Sequence, residues 1–197
     1  MTTKNKAAAK KDAVALLMDD HKRVKGLFVE FKKFAEAPEG DYDELKQELM
    51  DAACGELKVH SQVEEEIFYP AMRKACPDED AMMNEADIEH AGAKDLIAQI
   101  ESGSSSDPMT CARFTVLGEY IDHHVMEEES EMFPKAIAAK VNSVALAKQI
   151  ATRKDELKAE LGLTPYDEIP SFAQNGVKEM MPLWDRIKSV TGTSAHR

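Results

Sequence analysis

Apolar residues recur along this chain at spacings of three and four, the period of a helix with one buried face. Four long segments carry the pattern. The first runs from about Lys11 to Ala35, with Leu17, His21, Val24, Phe28 and Phe31 in phase. The second runs from about Asp41 to Lys74, with Leu45, Leu49, Ala53, Leu57, His60, Glu64, Ile67 and Ala71 on its face. The third, from about Asp78 to Ser102, aligns Met83, Ala86, His90, Ala93, Ile97 and Ile100. The fourth, from about Met109 to Lys140, aligns Phe114, Leu117, Ile121, His124, Glu128 and Met132. Pro38, Gly40, Pro77, Gly103 and Pro108 fall between the segments as punctuation. Alternating runs rich in Val, Ile and Thr are nearly absent, so no sheet is expected. At about 1.5 Å per residue the segments span roughly 35–50 Å. Joined by short loops, they predict an all-α fold, an up-down-up-down four-helix bundle over residues 11–140. A disordered basic tail is expected over residues 1–10. Beyond residue 140, Leu146, Ile150, Leu157 and Leu161 mark a fifth amphipathic helix, followed by a strap around Met180, Leu183 and Trp184. This extension either docks on the bundle or forms a homodimer contact, and a lone Trp in it favours some partner.

The stripes carry residues that do not belong in an apolar core. Each of the four contributes a histidine: His21, His60, His90 and His124. Two add a carboxylate one turn later, Glu64 and Glu128. A single in-phase histidine is ordinary core furniture, but a buried carboxylate costs several kcal/mol unless a cation or donors compensate it. The two HxxxE segments also form an internal repeat. HSQVEEEIFYPA begins at His60 and HVMEEESEMFPK at His124, with an aromatic at plus nine and a proline at plus ten in both. The chain therefore reads as two helical hairpins of pattern H…HxxxE related by a pseudo-twofold axis, which sets two half-sites face to face. Pro70 and Pro134 should kink or end their helices just beyond the site.

Imidazole with carboxylate suits iron, manganese or zinc. Four histidines and two glutamates exceed one tetrahedral zinc and suit two metals about 3.5–4 Å apart, bridged by the carboxylates. The thiols stand apart from this set. Cys54, Cys76 and Cys111 show no CxxC spacing and fit small buried thiols in a reducing cytoplasm. A net charge of −12 over 197 residues argues against nucleic acid or an anionic membrane as partner. No apolar run approaches the roughly 20 residues of a membrane span, and no secretory signal is evident.

The ordered pattern resembles the hemerythrin-like HHE cation-binding family, through DDHKRVKGLF, HSQVEEEIFYP, the EH at 89–90 and HHVMEEESEMFP. The resemblance covers about Asp12 to Lys140. It implies two non-heme irons with an oxo or hydroxo bridge, held by His21, His60, His90 and His124, with Glu64 and Glu128 bridging. The oxygen-carrying members place a further histidine one turn from the third-helix ligand, where this chain has Ala86 and Lys94. Tyr120 and His123 are the candidates for residues just behind the ligands. Glu65, Glu66, Glu127 and Glu129 read as a solvated face, and Lys25 and Lys94 should extend outward. The function expected is the binding or sensing of O2, NO or peroxide. A peroxide- or NO-consuming enzyme and an iron-storage or iron-sensing interaction module are the alternatives.

Overall fold

The computed structural model describes residues 11–37 and 42–163. The expected N-terminal tail and the strap around Trp184 lie outside them. The chain divides into two units after Leu157, and the bundle lies in the first.

Helix α1 spans Ala13–Ala35 and starts where the Asp12 carboxylate accepts the Ala15 amide hydrogen at 3.0 Å, satisfying a donor that has no partner inside the helix. Helix α2 spans Asp43–Val63, passes through a π-turn at Glu64–Phe68, and continues as α3, Tyr69–Ala75. A short 3₁₀ turn at Pro77–Glu79 leads into α4, Asp80–Glu101. Helix α5 spans Pro108–Glu127, capped by Asp107 with Pro108 in its first turn. It passes through a second π-turn at Glu128–Met132 into α6, Phe133–Ala138. Among the described residues there is no strand. No helix of them is long and apolar enough to cross a membrane.

Helix α1 packs on α2 and α5, and α4 packs on α5 and α2. Four antiparallel rods therefore enclose one core, the bundle the periodicity predicts. One end is filled by Phe114, whose ring lies 4.7 Å from that of Phe28 and 4.6 Å from that of Phe31. The loop before α5 packs so tightly there that a Cβ on Gly103 would stand 2.2 Å from Thr110 Oγ1. Elsewhere in the core Phe133 and Tyr69 stack on the stripe histidines His21 and His90. Helix α7, Val144–Glu160, buries Ala147, Ile150 and Leu157.

Of the two outcomes expected at the prolines, a kink or an end, the structure excludes the end. Neither Pro70 nor Pro134 ends its helix; each sits in the first turn of the segment that continues it. In a regular α-turn the pyrrolidine ring would meet the carbonyl four residues back. Here the turn is widened by one residue, so the Tyr69 amide donates to Glu64 O and the Phe133 amide to Glu128 O. The extra residue shifts the buried stripe by one position. Phe68, Tyr69 and Met72 are buried where Ile67 and Ala71 are expected, and both of those are partly exposed.

Candidate metal centre

Six buried residues bring their side chains together inside the bundle: His21 from α1, His60 from α2, His90 from α4, His124 from α5, and Glu64 and Glu128 from the π-turns. His21 Nε2 lies 3.1 Å from His60 Nε2, and His90 Nε2 lies 3.2 Å from His124 Nε2. The imidazoles are thus paired hairpin by hairpin. The carboxylates cross the pairing. Glu64 Oε2 is 3.1 Å from His60 Nε2 and 3.6 Å from His90 Nε2. Glu128 Oε2 is 3.2 Å from His21 Nε2 and 3.5 Å from His124 Nε2. Each carboxylate therefore faces one imidazole of each hairpin, the placement a shared ligand needs.

Every imidazole turns its outer nitrogen to a carboxylate. The distances are 2.9 Å from His21 Nδ1 to Glu129, 3.3 Å from His60 Nδ1 to Asp20, 3.0 Å from His90 Nδ1 to Glu65 and 2.7 Å from His124 Nδ1 to Glu89. A carboxylate can only accept, so Nδ1 carries hydrogen and the Nε2 lone pairs face inward. Two lone pairs about 3 Å apart repel unless positive charge lies between them. Both oxygens of Glu64 and Oε2 of Glu128 are buried without a hydrogen bond, despite the nearby nitrogens. A donor set of four inward imidazole nitrogens and unsatisfied carboxylate oxygens fits divalent or trivalent cations.

The proton equilibria express the same demand for positive charge. Burial opposes an imidazolium at His60, yet the Glu64 and Asp20 carboxylates outweigh it and push its pKa up to about 10. His124 is raised likewise, with burial overcome by Glu128 and Glu89. Burial would raise Glu128, but the imidazoles of His124 and His21 hold it well below the usual carboxylate range. Asp20 is depressed in the same way, burial being outweighed by His60 and Lys154.

The pseudo-twofold symmetry breaks at the aromatic positions. The Tyr69 hydroxyl donates to Glu128 Oε1 at 2.9 Å and lies 3.3 Å from His90 Nε2. Its symmetry mate is Phe133, which only stacks on His21, ring centres 5.5 Å apart. Burial, then the Glu128 and Glu64 charges, raise the Tyr69 pKa well above its ordinary value, so the phenol stays a donor. Tyr120, expected behind the ligands, instead has its hydroxyl against Gly92, 3.0 Å from where a Cβ would stand. His123 is half-exposed; its Nε2 lies 3.3 Å from Glu127 and 3.9 Å from Glu89, the carboxylate that holds His124. Two of the four glutamates read as a solvated face, Glu65 and Glu129, hold imidazoles. Lys94 does not extend freely either: its ammonium grips Glu65 at 2.6 Å.

A small cavity of about 20 Å³ adjoins the cluster, room for one water-sized molecule. His60, His90 and His124 line it together with Leu57, Ile97 and Ile121.

The Hemerythrin HHE cation binding domain family matches residues 12–136, more than half of the chain. The chain belongs to the hemerythrin HHE family. A cation-binding role thus accompanies the His and Glu cluster, and all six of its residues fall inside the matched region. A solved structure of a hemerythrin HHE cation binding domain-containing protein from Mycobacterium kansasii superposes with a TM-score of 0.61 at 23% identity, covering 76% of this chain and 88% of that one. At that identity the likeness establishes the fold. A curated relative, a DNA nickase of Nostoc sp. (strain PCC 7120), is 31% identical over 114 residues. That alignment takes in 58% of this chain but 30% of the nickase. The hemerythrin match ends before α7, which lies outside it.

Proposed function

We propose that this chain is a non-heme di-iron protein that binds or senses a small ligand, O2, NO or peroxide, beside a carboxylate-bridged metal pair. The observation that carries the reading is the set of four inward Nε2 atoms arranged around two crossing carboxylates, with the 20 Å³ cavity at their edge. His21 and His60 would hold one metal, His90 and His124 the other, and Glu64 and Glu128 would serve both. Such a pair supplies redox electrons and exchangeable coordination positions. The chain supplies the rest. Glu129, Asp20, Glu65 and Glu89 fix the imidazole tautomers, and the apolar wall of Leu57, Ile97 and Ile121 limits water and admits only a small guest. No thiol belongs to the site: Cys54, Cys76 and Cys111 all stand outside the cluster. Aerobically purified protein should hold about two irons per chain with the visible absorption of oxo-bridged ferric iron. Retention of a single zinc after growth in iron-rich medium would overturn the reading, and metal analysis with a visible spectrum decides it.

One observation favours a second reading, a peroxide- or NO-consuming enzyme. The Tyr69 hydroxyl is a buried donor held against Glu128 and beside His90 Nε2. It keeps a proton at the metal cluster itself, against Glu128, whereas Phe133 offers none. Tyr69→Phe should retain the metal pair and lower any peroxide or NO turnover at least about tenfold, the small end of proton-donor effects. Unchanged turnover in that variant would remove Tyr69 from the chemistry.

A further inference from the structure

The inward stripe of α7 reads Ala147, Ile150, Lys154 and Leu157, spaced by three, four and three. Three of these are buried apolar residues, and the fourth is a lysine whose side chain is only 13% exposed. Its ammonium binds Asp20 Oδ1, while Asp20 Oδ2 lies 3.3 Å from His60 Nδ1. Asp20 is itself 2% exposed and takes a longer contact of 3.4 Å from Arg23. The lysine thus engages one carboxylate oxygen and leaves the other aimed at the imidazole. The comparable carboxylate of His90, Glu65, receives its ammonium from Lys94 of α4, inside the four-helix bundle. Among the described residues, His60 alone has a lysine that arrives at its carboxylate from a helix outside the matched family region.

We propose that Lys154 is a positioning residue of the metal centre, so that α7 completes the His21/His60 half-site through Asp20. The inference rests on the metal-centre reading above. With the ammonium removed, Asp20 is free to turn toward Arg23, and His60 loses the partner that fixes its tautomer and ring plane. Loss of such outer contacts typically lowers metal affinity about 10–100-fold.

The test loads the full chain with Fe²⁺ anaerobically and follows release to the chelator ferrozine. Lys154→Met should release the first iron at least about tenfold faster than wild type, and Lys154→Arg should restore most of the difference. Arg153→Met removes the neighbouring ion pair to Glu66 on the same helix, at 2.7 Å, and should leave release close to wild type. If α7 matters only as a brace, Arg153→Met and Lys154→Met will act alike and the proposal falls. Asp20→Asn supplies the second line of evidence. Because both residues act through one carboxylate, adding Lys154→Met to Asp20→Asn should change release less than twofold. Additive effects, or unchanged release in Lys154→Met, would overturn the proposal. A wild-type chain that takes up no iron would instead overturn the metal-centre reading.

Discussion

Replacing Glu64 with alanine will empty both half-sites, not one. Its Oε2 faces His60 of the first hairpin and His90 of the second, so the truncation deprives each half of a shared donor. It also leaves the inward lone pairs with one carboxylate to balance a bound cation instead of two. Glu128→Ala should do the same, since Glu128 faces His21 and His124. Iron retained after gel filtration should fall to a tenth of wild type or less in both, beyond the about 10–100-fold affinity loss that outer contacts give. Glu65→Ala and Glu129→Ala should fall in between, because each removes the acceptor of one Nδ1 hydrogen. Glu131→Ala, at an exposed position of the second π-turn, should match wild type. The ordering is the content of the prediction. If Glu64→Ala kept one full equivalent, the carboxylate would serve a single metal and the crossed arrangement would be wrong.

The fold and the six clustered residues were readable from the sequence because both depend on a single period. Apolar residues three and four apart define a stripe, and a histidine or glutamate on that stripe is carried into the core by the same geometry. The reading failed where the period changes. At about 100° per residue, Tyr69 lies roughly 140° around the helix from Glu64, facing away. The π-turn adds a residue to the turn and swings Tyr69 back onto the site. The repeat held a clue: proline at plus ten in both segments would clash in a regular turn, and widening the turn is one way to relieve it. Asp20, Glu89, Glu65 and Glu129 were hidden for another reason. Each is adjacent in sequence to a ligand candidate on its own helix, so the stripe excludes it, and each supports an imidazole from a different helix. That cross-helix register is set by packing and not by any one segment. Lys154 carried a local signal, a lysine at a core position of α7. It acquires meaning only once α7 is seen to lie over Asp20.

The metal-free protein should lose stability as the pH rises above neutrality, while the loaded protein should not. His60 has an unfolded value near 6.5 and is pushed up to about 10 in the folded chain. A raised pKa stabilises fully below the unfolded value, and that contribution disappears as pH climbs through the folded one. A rise of that size is linked to stability on the order of 5 kcal/mol. Asp20 and Glu128 are depressed, so their contribution is present above their ordinary values near 4 and vanishes as the solution is acidified. Together these place the optimum of the metal-free chain between about pH 5 and pH 6.5. A metal needs the same His60 Nε2 lone pair that the proton occupies, so loading at pH 7–8 must release protons and binding must tighten as pH rises. Calorimetric melting of chelator-treated protein should therefore show a Tm that falls between pH 6.5 and pH 9. The gap to the iron-loaded protein should widen over the same range. Titrating metal in buffers of different ionisation enthalpy should reveal the released protons directly. His60→Gln, which keeps a polar side chain but cannot become a cation, should lessen the fall of the metal-free Tm across that window, the remainder coming from His124. A metal-free Tm that stayed level or rose from pH 6.5 to 9 in the wild-type chain would mean that neither His60 nor His124 is held as a buried cation.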